Sequence, residues 1–169
     1  MQSNQQGQFG LRPGTEEFPL MVVFTLIFPC NFGCPNCPYT DGNSELRLFY
    51  HEKQGDFFPL ELWKKMADEC GQYGAWMRCS GAGEPMLHPN MPEMIEYAKE
   101  RGARVWLNTN ASMFGPGPRL RNKLERIVRA GIDVIECSMD AGDPDTYAKV
   151  RPPRGGAPRN PAKWWQDHL

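Results

Sequence analysis

The feature that most constrains this chain is an order of segments: a short apolar run, a loop rich in glycine, asparagine or cysteine, then a stretch with helical spacing. Met21 to Phe28 is continuously apolar apart from Thr25 and rich in Val, Ile and Phe, the pattern of a strand buried on both faces. After a long polar segment from Pro29 to Phe58, Leu62, Met66, Cys70 and Tyr73 recur near one helical face, and Gly74 is placed to end that helix. Ala75 to Cys79 predicts a second strand, and Asn90 with Glu93 forms a capping-box signature for a helix ending near Gly102. Arg104 to Thr109 predicts a third strand, and Leu120, Leu124, Ile127 and Val128 a helical stripe closed by Gly131. Ile132 to Met139 predicts the fourth, after which Asp143 can cap a helix carrying Tyr147.

Strands alternating with helices in this way imply an α/β fold with a parallel sheet and right-handed crossovers. Every strand-to-helix loop then opens on one edge of the sheet. The loops gathered there are the segment after Phe28, Gly81 to Pro85, Asn108 to Ala111 and Ser138 to Asp140, at the edge where α/β proteins place their active sites.

The first of these loops carries Cys30, Cys34 and Cys37 in the spacing C-x3-C-x2-C. Three thiolates in a tight loop can hold three corners of a 4Fe-4S cube, and no fourth cysteine lies near in sequence. One iron would stay open to a substrate or cofactor. A zinc site would show paired C-x2-C or added histidines, and the nearest histidine is His51. A disulfide framework would need a small, cysteine-dense secreted chain. Cys70, Cys79 and Cys137 lie in apolar or periodic segments and read as small buried hydrophobes.

Composition narrows the rest. A chain of 169 residues, 40% hydrophobic and 23% charged, suits one globular domain. Its net charge of -1, with no long basic run, lacks the footprint of a nucleic-acid binder. No apolar run approaches the roughly 20 residues that span a bilayer, and the glutamine-rich start is not a signal peptide, so neither nucleic acid nor membrane is an expected partner. A cytoplasmic location and reducing conditions are expected. Residues 1–19 read as a mobile leader and 20–169 as the core domain. After Arg151, a Pro-Gly-rich stretch and a Trp-rich end leave no fifth strand, so a fragment or truncated product is expected, with an open sheet edge.

The cysteine loop, Gly81-x-Gly83-Glu84-Pro85 and Ser138-x-Asp140, in this order and strand context, resemble the radical S-adenosylmethionine (radical SAM) superfamily over roughly Phe18 to Arg151. Cys37-Pro38-Tyr39 and the run from Ser138 to Tyr147 are similar to members with a SPASM-type C-terminal extension. The resemblance implies a partial (β/α) barrel with about four of six βα units. It implies a 4Fe-4S cluster on Cys30, Cys34 and Cys37, with S-adenosylmethionine on the open iron. Reductive cleavage of that cofactor would yield a radical that abstracts hydrogen from a peptide or small polar metabolite. An electron donor such as flavodoxin or ferredoxin is implied as a partner. An iron-sulfur electron-transfer protein, which would need a fourth ligand, and an inactive fragment are the competing readings.

Carried over by residue, Gly81, Gly83 and Glu84 would receive the cofactor's amino group through close backbone approach and a carboxylate. Alone they would read as a Gly-Pro turn. Ser138 and Asp140 share strand parity and could meet ribose hydroxyls, or simply form a turn. Asn108 and Asn110 also share parity, against the ordinary role of strand-end asparagines in satisfying local backbone. Arg151 could pair with the cofactor carboxylate or lie solvated at a helix end. Asn36 stands where relatives often carry an aromatic residue, a place that Phe32 or Tyr39 could fill.

Overall fold

Short apolar runs separated by helix-forming segments satisfy their backbone groups by pairing in one sheet. In the computed structural model, which describes residues 17–39, 57–114, 118–156 and 158–168 (less the side chains of 119 and 168), four strands do so. They are β1 (Met21–Phe24), β2 (Trp76–Cys79), β3 (Arg104–Thr109) and β4 (Val134–Cys137), in the order β1-β2-β3-β4. All pairs are parallel, with Val22 opposite Met77, Met77 opposite Val105 and Leu107 opposite Ile135. The crossovers carry α1 (Leu60–Tyr73), α2 (Met91–Glu100) and α3 (Pro118–Arg129), and α4 (Pro144–Val150) and α5 (Pro161–His168) follow β4. A sheet whose spatial order equals its sequence order curls in one direction, the start of a (β/α) barrel.

The period of two divides the sheet into unlike faces. Phe24, Met77, Cys79, Val105 and Leu107 join Trp63, Ala67 and Cys70 of α1, Met94 and Ile95 of α2 and Ile127 of α3 in the main apolar core. On the opposite face, Arg104 lies 4.0 Å over the Trp76 ring and Arg78 4.4 Å over Trp106, while the two indoles meet edge to face at 6.0 Å. Glu136 completes this face, 3.2 Å from Arg78.

Several local expectations change. β1 stops at Phe24 and is not buried on both faces, because it is an edge strand and Val23 is 60% exposed. Leu26, Ile27 and Phe28 leave the sheet yet remain buried, tied back by the Phe58 N–H to Leu26 carbonyl bond at 2.8 Å. The buried stripe of α1 is Trp63, Ala67 and Cys70, whereas Leu62 and Tyr73 are exposed. The expected stripe centred on aliphatic residues, but Trp63 fills the core and donates its indole N–H to the Met94 carbonyl at 2.7 Å. Val128 likewise turns outward from α3 while Ile127 is buried.

The capping box does not form. The Asn90 side chain makes no capping bond, and Glu93 pairs instead with Lys64 at 3.2 Å. His88 takes the role: its Nδ1 accepts the Asn90 N–H at 3.2 Å, and its Nε2 lies 3.2 Å from the Phe58 carbonyl. A carbonyl only accepts, so the ring proton is assigned to Nε2. β4 is shorter than expected and, as the other edge strand, leaves Cys137 exposed and not buried. Cys70 and Cys79 are fully buried. Among the described residues no helix is long and apolar enough to cross a membrane.

Candidate functional site

The chain leaving β1 turns sharply at the cysteines. The Cys37 N–H donates to the Cys34 carbonyl at 3.1 Å, and the Phe32 N–H donates to Cys30 Sγ at 3.4 Å. The outer side of the loop is held by a strap that follows α4: Gly33 N–H meets the Pro152 carbonyl at 2.7 Å, Arg154 N–H meets the Asn31 carbonyl at 2.8 Å, and Phe32 faces Pro153 as an antiparallel bridge. Phe32 is buried against Tyr147 and Trp164. Tyr147 is itself fully buried, its hydroxyl has no partner among the described residues, and burial pushes it up to about 12. Cys34 is buried beside this group, while Cys30 and Cys37 are half-buried. Burial raises the Cys30 and Cys34 thiols; the Phe32 N–H opposes the shift at Cys30 and the Arg151 charge opposes it at Cys34.

The loop after β2 reaches the cysteine loop because it carries glycine where backbone crowds backbone. Gly81 and Gly83 have φ of 110° and 72°, a region that favours glycine. A Cβ on Gly83 would collide with the Ile27 carbonyl oxygen and lie 2.7 Å from that of Pro29, and one on Gly81 would strike Thr25 Oγ1. The Glu84 N–H then bonds the Pro29 carbonyl at 3.0 Å.

The Glu84 side chain is 2% exposed and heavily engaged. Its Oε1 accepts from the Met86 N–H at 2.9 Å and Thr109 Oγ1 at 2.7 Å, and Oε2 from the Asn110 N–H at 2.7 Å. A carboxylate offers about four acceptor positions, so one is left over on Oε2. Burial raises the carboxyl above its ordinary value, and the bonds from Asn110, Thr109 and Met86 oppose that rise.

The end of β3 bends through Ala111, a non-glycine residue at φ 61°. Asn110 and Thr109 hold that conformation, accepting the Ser112 N–H at 3.0 Å and the Ala111 N–H at 3.1 Å. Asn110 also spans to the first loop, donating to Asn31 Oδ1 at 2.8 Å and lying 3.9 Å from Cys30 Sγ. The Asn31 amide in turn donates to Ser112 Oγ at 2.8 Å.

One cavity of about 310 Å³ collects these groups at the C-terminal ends of the strands. Cys30, Cys34, Cys37, Gly81, Gly83, Glu84, Asn108, Asn110, Ser138 and Arg151 all line it. Asp140 does not: β4 ends at Cys137, so strand parity no longer governs residues 138–140, and Asp140 pairs with Arg151 Nε at 2.6 Å. Asn108 is partly engaged, accepting from Arg78 Nε at 3.0 Å. Asn36 is exposed on the cavity wall, and Phe32 reaches it from the aromatic group.

Sequence reasoning missed Asn31, Thr109 and Ser112. Asn31 lies beside Cys30, and the Thr109-Asn110-Ala111-Ser112 run is a side-chain-to-backbone turn signature that could have been noticed. Only the closing of the loops onto each other reveals their joint role.

The donor set fits a multi-iron cluster. Three thiolates on one zinc ion would draw their sulfurs to about 3.8 Å apart, from Zn–S bonds of about 2.3 Å. Among the described residues, no three Cys, His, Asp or Glu side chains are gathered tightly enough for a single ion. Three cysteine sulfurs line one cavity, with a backbone N–H and an amide facing Cys30 Sγ, and their chemistry is that of the donors a 4Fe-4S cluster would take.

Known proteins agree with this architecture. The chain is 27% identical over 136 residues to a PqqA peptide cyclase of Granulibacter bethesdensis, covering 80% of this chain and 33% of that protein. It is 24% identical over 135 residues to an Fe-coproporphyrin III synthase of Methanosarcina barkeri, covering 80% and 30%. The chain thus spans about a third of the length of these curated relatives. Its fold matches SuiB of Streptococcus suis bound to S-adenosylmethionine, with a TM-score of 0.63, 15% identity and coverage of 81% and 29%. BtrN in complex with AdoMet and 2-DOIA gives 0.57, 19% identity and coverage of 73% and 47%. The family profile described as the Radical SAM superfamily matches residues 26–165, and with the four-stranded parallel sheet it establishes that this chain belongs to the radical SAM superfamily.

Proposed function

We propose that this chain forms the cluster- and cofactor-holding part of a radical SAM enzyme that abstracts hydrogen from its substrate. The observation that carries the reading is the single cavity in which Cys30, Cys34 and Cys37 face the Gly81-to-Glu84 loop. Once bound, a 4Fe-4S cluster with one open iron supplies the electron that cleaves S-adenosylmethionine to a carbon radical. The protein's residues do the holding. Gly81 and Gly83 would let backbone carbonyls approach the cofactor's amino group, and the spare Oε2 position of Glu84 would accept a charge-assisted hydrogen bond from it. Ser138 and Asn108 offer hydrogen bonds to ribose or carboxylate oxygens from the far wall. Arg151, oriented by Asp140, places positive charge beside Cys34, where it favours a thiolate and attracts the cofactor carboxylate. Asn110 acts mainly through Asn31, holding the cysteine loop against β3.

The electron-transfer reading requires a fourth protein ligand, of which a fourth cysteine is the form that the described residues bear on. Cys70 and Cys79 lie in the apolar core and Cys137 does not line the cavity, which favours the enzyme reading. The name of the peptide cyclase supports a peptide substrate and that of the Fe-coproporphyrin III synthase a small metabolite, the two classes that the sequence resemblance implies. A reducing cytoplasm and an electron donor of the flavodoxin or ferredoxin type complete the proposal.

The test is anaerobic electron paramagnetic resonance of the reconstituted, reduced chain with and without S-adenosylmethionine. A cluster signal that changes shape on addition supports the reading; an unchanged signal sinks it. Alanine at Glu84 is expected to keep the iron but lose that change in shape, with a stability cost of about 1–3 kcal/mol from stranded donors.

A further inference from the structure

The strap that braces the cysteine loop has a charge pattern that neither the sheet nor the cofactor cavity explains. From Lys149 to Lys163 it carries Lys149, Arg151, Arg154, Arg159 and Lys163 and no acidic residue, in a chain whose net charge is -1. Arg151 is committed to Asp140 and Lys163 to Asp167 at 2.9 Å. Lys149, Arg154 and Arg159 are exposed and form no ion pair among the described residues. Lys149 lies one helical turn beyond Asp145 on α4 and its charge also reaches Asp143, which caps α4 through the Thr146 N–H at 2.9 Å, so the strap's uncommitted charge lies at Arg154 and Arg159. The basic strap is also one hydrogen bond from the residues flanking two cysteines, through Arg154 to Asn31 beside Cys30 and through Pro152 to Gly33 beside Cys34.

We infer that the strap, centred on Arg154 and Arg159, is the docking surface for an acidic one-electron carrier protein that reduces the cluster. The inference rests on the cluster reading given above. Fixed positive charge steers an acidic partner and sets its orientation, and a partner seated here places its redox centre against the outside of the cysteine loop. The cavity, on the other side, stays free for cofactor and substrate. In the transfer, one electron leaves the reduced carrier, which is oxidised by one unit, and enters the oxidised cluster, which is reduced by one unit. No bond or proton has to move. A nucleic acid is the weaker match for the same charges, because two exposed arginines on an otherwise near-neutral chain neutralise few phosphates.

The experiment compares the reconstituted chain with an R154E/R159E variant, each reduced anaerobically either by an acidic flavodoxin or by dithionite. The wild-type rate with flavodoxin is expected to fall as salt rises, and the variant to be at least tenfold slower at low salt, with equal rates for dithionite. Equal flavodoxin rates in both proteins overturn the docking surface while leaving the cluster reading intact. If dithionite produces no cluster signal in the wild type, the cluster reading falls and the docking surface with it. Tighter binding of a single-stranded oligonucleotide than of flavodoxin, lost in the variant, would reassign the strap to nucleic acid.

Discussion

On β3, Val105 and Leu107 enter the apolar layer under the helices, while their neighbours Arg104, Trp106 and Asn108 face the other way and pair through rings, charges and amides. The same strands thus carry two kinds of organisation, one residue apart. The helix-covered face is held by dispersion and exclusion of water, and its cost of change is high. The opposite face and the rim above it are held by directional polar contacts, which tolerate change individually but fix where chemistry can occur. Cysteine shows the contrast within one residue type. Cys79 is sealed in the dry layer, where burial pushes its thiol far up, whereas Cys34 lies at the rim beside Arg151.

That contrast can be broken by substitution. Cys34→Ala is expected to abolish the cluster, read as iron and sulfide content, while Cys79→Ala keeps full cluster content and only lowers stability. Cluster loss in both would mean that the two environments are not distinct. Next in size, Trp63→Ala removes the largest side chain of the dry layer and is expected to cost about 3–5 kcal/mol, measured as a shift in denaturant midpoint.

His88 gives an intermediate test at the junction of the two regions. Burial lowers its pKa, and Nδ1 must stay unprotonated to accept the Asn90 N–H. The unfolded chain therefore binds the proton more readily, so stability is full above about pH 6.5 and declines as pH falls from there toward the lower folded value. His88→Gln is expected to flatten that decline in urea melts across the acidic range; an undiminished slope would assign the acid sensitivity to another group. The smallest effect is expected on the open face. Arg78→Ala, which breaks a partly exposed pair with Glu136, should cost under about 1 kcal/mol in the same melts.

The sequence made the order of strands and helices legible because each segment's period is set by its own residues. β3 appears with the expected bounds, and the helix spanning α1 ends at Gly74 in a left-handed conformation. What failed was facing and length at the edges. Val23 and Cys137 are as apolar as core residues, and nothing local to them says that they lie on the outer strands of the described sheet. At the rim, the cysteines and glycines were legible because few other arrangements use such spacing. The roles of Asn31, Thr109 and Ser112 were not, because each is defined by a partner on another loop. The expectations for residues 1–16 and for 40–56, including His51, lie outside the described residues.

The hydrogen bond between Asn110 and Asn31 joins positions 79 residues apart, and the one between Asn31 and Ser112 spans 81. Contacts this distant are reached only after the intervening strands have been laid side by side, since closing so long a segment early gains nothing to offset its entropy. The cysteine loop therefore acquires its final bracing late in folding. A variant that slows β3 docking is expected to reach the same fold in the end, with a longer interval in which the thiols of Cys30, Cys34 and Cys37 lack that bracing.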